Sequence, residues 1–120
     1  MAVSKVMKEG MDIVWENSSP YAEFSAQTLL LDLSKYKAIV VACYEYPADA
    51  NRRIINTEFC KKSDTSRVTC GYFAPGGGSA PTFSSRPVFP TDTSVIFSNA
   101  VNNGGVNNLQ CVPIAIYGIK

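Results

Sequence analysis

Apolar and polar positions alternate most clearly between residues 26 and 46, AQTLLLDLSKYKAIVVACYEY. Leu29, Leu31 and Leu33 share one phase against Thr28, Leu30 and Asp32. After a polar break at 32–36, Ala38, Val40 and Ala42 alternate with Ile39, Val41 and Cys43. Successive strand residues leave opposite faces, so a period of two marks a strand. The stretch predicts two strands folded back on each other through 32–36. The second is apolar on both phases at its centre, so both faces expect cover, from loops or from another subunit.

The same pattern places the other elements. DIVWE at 12–16 is a short strand carrying the only tryptophan, and NSSP at 17–20 is a turn with Pro20 fixing φ. A strand over 52–62, a turn at 63–66 and a returning strand over 67–74 read as a second hairpin, followed by the glycine loop PGGGSAP at 75–81. Pro87 and Pro90 demote 82–90 to an edge strand or loop, since proline cannot donate to a ladder. Strands follow at 93–99 and 109–119, separated by NNGGVNN at 102–108. In the last strand Val112, Ile114 and Ile116 share a phase, and Pro113 marks an edge or a bulge. No helix longer than two turns is predicted. Seven or eight short strands with closely spaced turns predict an all-β fold, an antiparallel, jelly-roll-like β-sandwich. It forms one domain over 11–120, preceded by a linker or short arm over 1–10.

Composition removes several classes of function. A formal net charge of +1 gives no bulk field toward nucleic acid or an anionic membrane. No apolar run nears the ~18 residues that span a bilayer, so no membrane insertion is expected. MAVSKVMKEG at the start lacks the apolar core of a signal peptide, which predicts synthesis in the cytosol. There is no histidine, and Cys43, Cys60, Cys70 and Cys111 contain no C-x-x-C pair, so neither a zinc site nor another cofactor is expected. Cys43 and Cys111 fall in apolar strands. Cys60 and Cys70 flank the turn at 63–66, placed to face each other across the hairpin, and free thiols are expected.

Chemistry is sparse. Without histidine, a nucleophile–histidine pair is excluded. Gly76-Gly77-Gly78-Ser79 lacks the Lys-Ser/Thr ending and following helix of a phosphate loop. Glu45 and Glu58 are strand acids that could approach as a glycosidase pair, though a solvated face explains them as well. Arg52-Arg53 and Lys61-Lys62 split across strand faces rather than forming a basic stripe. No enzyme is predicted, a small cell-wall hydrolase being the minor alternative. Four aromatics, Tyr44, Tyr46, Tyr72 and Phe73, are the candidate binding residues: strand aromatics pack cores, but at a rim they stack on sugars or anchor a partner. From Gly71 onward only Arg86, Asp92 and Lys120 are charged, and Gly, Ser, Thr and Asn dominate. Such a surface suits contacts to glycans or protein, while turn geometry accounts for the same residues.

Three segments carry a family resemblance: IVWENSSPYAEFSAQTLLLDL at 13–33, SKYKAIVVACYEY at 34–46 and QCVPIAIYGIK at 110–120. Together they resemble the C-terminal β-sandwich domains of phage and prophage tail or tail-fibre (receptor-binding) proteins of Gram-positive gut bacteria. The likeness covers about half the chain, and residues 47–108 do not share it. It implies a virion structural protein of the tail, a homotrimer, touching other tail proteins and attaching to a host cell-surface glycan or protein. It implies no catalytic residue. A purely structural assembly module is the alternative.

Overall fold

The computed structural model describes residues 10–45, 53–61, 66–72, 82–102 and 105–120, with 66–72 and 82–83 described in backbone only. The fold is an all-β, antiparallel sandwich. Its strands are β1 (Met11–Glu16), β2 (Gln27–Leu30), β3 (Ala38–Tyr44), β4 (Ile54–Cys60), β5 (Ser66–Tyr72), β6 (Thr82–Pro90), β7 (Ser94–Phe97), β8 (Val101–Asn102), β9 (Gly105–Val106) and β10 (Val112–Ile119). One sheet has four strands in the order β1-β10-β3-β4. The other has six, with β2-β7-β6-β8-β9 and β5 paired to β6. β1 pairs with β10, so the first and last strands lie side by side, β2 pairs with β7, and β3–β4 and β5–β6 pair locally.

The hairpin expected over 26–46 does not form. β2 and β3 belong to different sheets, and the link 31–37 crosses the sandwich. The alternation was real, but its apolar phase faces an inter-sheet core rather than a partner strand. Leu29 and Leu31 pack against that core and Leu33 is fully buried in it, while Leu30 points out at 83% exposure. Leu33 N–H donates to the Asp92 carbonyl and Tyr36 N–H to the Leu33 carbonyl, which fixes the crossing. The hairpin expected around 63–66 does not form either, because β4 and β5 belong to different sheets. Cys60 sits opposite Ala38 in one sheet and Cys70 opposite Ser84 in the other, so the two do not face each other across a ladder. Cys43, Cys60 and Cys111 are free thiols.

The main core joins Ile39, Val41, Cys43, Phe59, Cys111, Val112 and Ile116 of the first sheet and its approaches to Val88, Val95 and Phe97 of the second. β3 is apolar on both phases, and the second face is covered within the chain itself. Ala42, Tyr44, Ile114 and Ala115 form a smaller buried cluster there, with Tyr117 against it. Tyr21 stacks on Tyr44 with ring centroids 5.7 Å apart and planes 16° apart. Pro113 marks a bulge, as its missing donor suggested: the register of β10 against β3 shifts between Pro113 and Ala115. The shift removes Ile114 from the phase of Val112 and Ile116, and it joins the outer cluster instead.

Residues 82–90 are not an edge. β6 is central, paired with β5 along one side and with β7 and β8 along the other. Pro87 is tolerated because pairing on the β7/β8 side is interrupted beside it, and Pro90 because it is the last residue of β6, beyond the end of the β5 pairing at Val88. The register against β6 advances by one residue between β7 and β8, and a single bond, Ser98 N–H to the Pro87 carbonyl at 3.1 Å, spans the break.

Beside this break lies the least expected side chain. Arg86 is 0% exposed. Its Nε donates to the Cys111 carbonyl at 2.9 Å, one terminal nitrogen to Ser98 at 2.8 Å and the other to Gln110 at 3.2 Å. Its guanidinium carbon lies 5.3 Å from the centroid of Phe24. Cys111 takes a left-handed φ of 50°, and the consecutive carbonyls of Gln110 and Cys111 both meet the guanidinium. A planar donor fork suits several fixed acceptors where an ammonium would not. Gln110, also buried, accepts from Ser84 Oγ and from Asn102 Nδ2. No buried side-chain nitrogen or oxygen among the described residues lacks a partner.

Candidate binding groove beside the only tryptophan

An open groove of about 330 Å³ lies where β1 ends, the loop 17–26 turns and β2 begins. Trp15, Glu16, Asn17, Ser18, Ser19, Glu23, Phe24, Gln27 and Leu29 line it. The volume is at the lower end of the usual range for ligand pockets, about 300–1,000 Å³. A bulge helps to form it. The register of β1 against β10 slips between Ile13 and Trp15, which sets Trp15 opposite Ile116 and Glu16 opposite Ala115. Bulges commonly re-aim a side chain at a functional edge.

The loop is pinned at both ends. Asn17 N–H donates to the Ile114 carbonyl at 2.9 Å and its Nδ2 to the Pro113 carbonyl at 2.8 Å, while its Oδ1 accepts from Ser19 N–H. Phe24 N–H donates to the Asn108 carbonyl and Ala26 N–H to Asn99 Oδ1, which also accepts from Asn108 Nδ2. Beneath it runs an aromatic ladder. Trp15 meets Phe24 edge-on at 6.0 Å, and Phe24 meets Phe97 edge-on at 5.2 Å. The groove wall is therefore continuous with the core that holds Arg86. A loop fixed on rigid elements presents its polar groups without an ordering cost at binding.

Glu16 and Glu23 are exposed, and neither forms an ion pair among the described residues. Gln27 donates to the Ser25 carbonyl. The lining thus offers carboxylate, amide and hydroxyl groups beside a half-buried indole.

A second, larger groove of about 930 Å³ is lined by Tyr36, Lys37, Cys60, Lys61, Thr91, Asp92 and Thr93. Its central cation is already engaged, because Lys61 Nζ holds the Leu33 carbonyl and the Asp92 carboxylate. Tyr36 donates its hydroxyl to Asp12 Oδ2 at 2.7 Å. Burial and the adjoining carboxylate push the Tyr36 hydroxyl up to about 12. The same bond, helped by Lys120, draws Asp12 below the ordinary carboxylate range.

The aromatic candidates fare differently. Tyr44 is buried at 5% exposure under Tyr21, which is itself half exposed, so Tyr44 packs rather than presenting a rim. Tyr72 ends β5, opposite Thr82. Tyr46 and Phe73 lie outside the described residues. Glu45 and Glu58 do not form a pair. Glu58 is opposite Val40, Glu45 lies five residues further along, roughly 16 Å at strand rise, and it binds Arg53 instead. Among the described residues no three of His, Cys, Asp and Glu converge. Asn99, Asn102, Asn107 and Asn108 direct their amides into the chain, which is the turn-and-loop reading of that amide-rich half. The groove was missed because its residues come from a turn and two strand ends. The available signal was the turn NSSP at 17–20, separated from the only tryptophan by Glu16 alone.

No protein-family model, curated protein or solved structure matches the chain.

Proposed function

We propose that the chain is a tail-associated structural protein of a phage or prophage, trimeric in the virion, which contributes to host attachment by holding a cell-surface glycan in the groove beside Trp15. The sequence resemblance supplies the setting. The observation that carries the binding reading is the groove itself: an indole set beside exposed carboxylates, an amide and hydroxyls on a pinned loop. Sugars are held in this way, with an apolar ring face on an aromatic and hydroxyls on polar side chains. The test is adsorption of the purified protein to host cells and to a glycan array, compared with Glu16→Ala/Gln27→Ala. Loss of adsorption in the folded variant supports the reading, and undiminished adsorption refutes it.

A second reading, an assembly module that meets only other virion proteins, is favoured by one surface. Leu30, Ile96, Val101 and Val106 are exposed apolar residues of the six-stranded sheet. Ile96 is opposite Phe89 and Val101 opposite Val106, so apolar pairs continue across it. Exposed apolar surface of this kind marks subunit contacts. No glycan or cell binding by the intact oligomer favours this reading. Light scattering showing a stable monomer at micromolar concentration refutes the trimer.

A further inference from the structure

We infer that the groove beside Trp15 selects saccharides that carry a free primary ammonium over their neutral N-acetylated counterparts. The inference rests on the glycan reading above and adds the charge of the ligand to it. Three features support it.

The first is charge. The groove contains two carboxylates, Glu16 and Glu23, and no lysine or arginine among its lining residues. Neither acid is committed to an ion pair among the described residues. Elsewhere Asp12, Glu45 and Asp92 each hold a cation of the chain, whereas Asp32 and Glu58, like these two, hold none among the described residues; what sets Glu16 and Glu23 apart is that they share one groove. The second is hydrogen-bond polarity. Gln27 donates through Nε2 to the Ser25 carbonyl, which leaves Oε1 as an acceptor, and Asn17 has both ends of its amide engaged within the fold. The side chains left for a ligand are rich in acceptors, and an ammonium is a group of donors only. The third is the indole. Trp15 lines the same groove, and an indole favours both sugar C–H faces and cations. An N-acetyl group removes the charge and adds a carbonyl that would face two carboxylates.

Trp15 is the only tryptophan, so its fluorescence reads the groove directly. The full chain is titrated with glucosamine oligosaccharides and with N-acetylglucosamine oligosaccharides of equal length, at low and at physiological salt. The wild type should bind the glucosamine series about fivefold or more tightly, as expected for two partly exposed charge contacts, and added salt should narrow the gap. Glu16→Gln/Glu23→Gln, both at exposed positions, should lower the preference to about one while retaining weak binding of both series. Equal affinity of the wild type for both series would overturn the charge inference and leave the glycan reading intact. A preference that survives in the double variant would also overturn it. Failure of both series to bind, with adsorption to host cells retained, would overturn it too; failure together with loss of adsorption would remove the glycan reading as well.

Discussion

Replacing Arg86 with methionine keeps a long side chain in the core and removes the donor fork. Three carbonyl oxygens, of Ser98, Gln110 and Cys111, then lose a charged donor, two of them in buried contacts and that of Ser98 in a part-buried one. A hydrogen bond to a charged group contributes about 1.5–3 kcal/mol, so three sum to roughly 5–9 kcal/mol before offsets. The guanidinium no longer has to be desolvated, which returns several kcal/mol. The net loss should be about 3–5 kcal/mol, because each carbonyl left without its donor still costs about 1–3 kcal/mol. Domains of this kind are stable by only about 5–15 kcal/mol, so the variant should be marginal at 37 °C. Urea unfolding followed by Trp15 fluorescence measures the difference. Arg86→Lys separates charge from geometry: an ammonium cannot reach three carbonyls set around a fork, so it should lose at least about 2 kcal/mol despite keeping its charge. Either variant within about 1 kcal/mol of the wild type would refute the idea that Arg86 ties the sheets together through these carbonyls.

Three further predictions follow from packing and titration. A Cβ at Gly118 would stand 2.6–2.7 Å from Cγ, Cδ1 and Cδ2 of the Tyr36 ring, so Gly118→Ala should cost about 1–3 kcal/mol in thermal unfolding, and Tyr36→Leu in the same chain should recover part of the loss. Burial and Asp12 raise Tyr36 to about 12, above an unfolded value near 10, so its contribution is complete below pH ~10 and is lost as pH rises toward about 12. Asp12 is depressed, so its share holds above its unfolded value and falls away below pH ~4; Tyr36→Phe should flatten the alkaline limb of a stability-against-pH curve. In a Cys70→Ser chain only Cys60 should react quickly with a thiol reagent before denaturation, because Cys43 and Cys111 are buried and burial raises the Cys43 thiol well above its ordinary value; fast labelling of two thiols would contradict the packing.

Most strand positions were legible because those strands carry their own alternation, but β8 and β9, two residues each, fall where 102–108 read as a turn, and ten strands form where seven or eight were expected. Leu29, Leu31 and Leu33 face inward as their phase requires, and Leu30 faces out. Strand partners were not legible, because a period of two says which side of a strand is apolar and not which strand lies beside it. The segments 32–36 and 63–66 therefore read as hairpin turns, whereas β2 and β3, and likewise β4 and β5, belong to different sheets. Pro87 misled for a related reason, since the break in pairing that accommodates it lies in another segment, at 98–100. Arg86 offered one clue, a single charge in an alternating strand within a stretch nearly free of charge. Its partners are backbone carbonyls, which no sequence pattern displays. The groove shares that difficulty: Trp15 and the turn after it stand out, but Gln27 and Leu29 join them only through the fold.

The groove claim is tested most directly by acrylamide quenching of Trp15 fluorescence, measured on the free protein and on protein adsorbed to purified host cell wall. If the glycan lies against Trp15, adsorption should lower the quenching constant severalfold, and competing free glycan should restore it. Adsorption with an unchanged quenching constant would place the contact elsewhere and contradict the account.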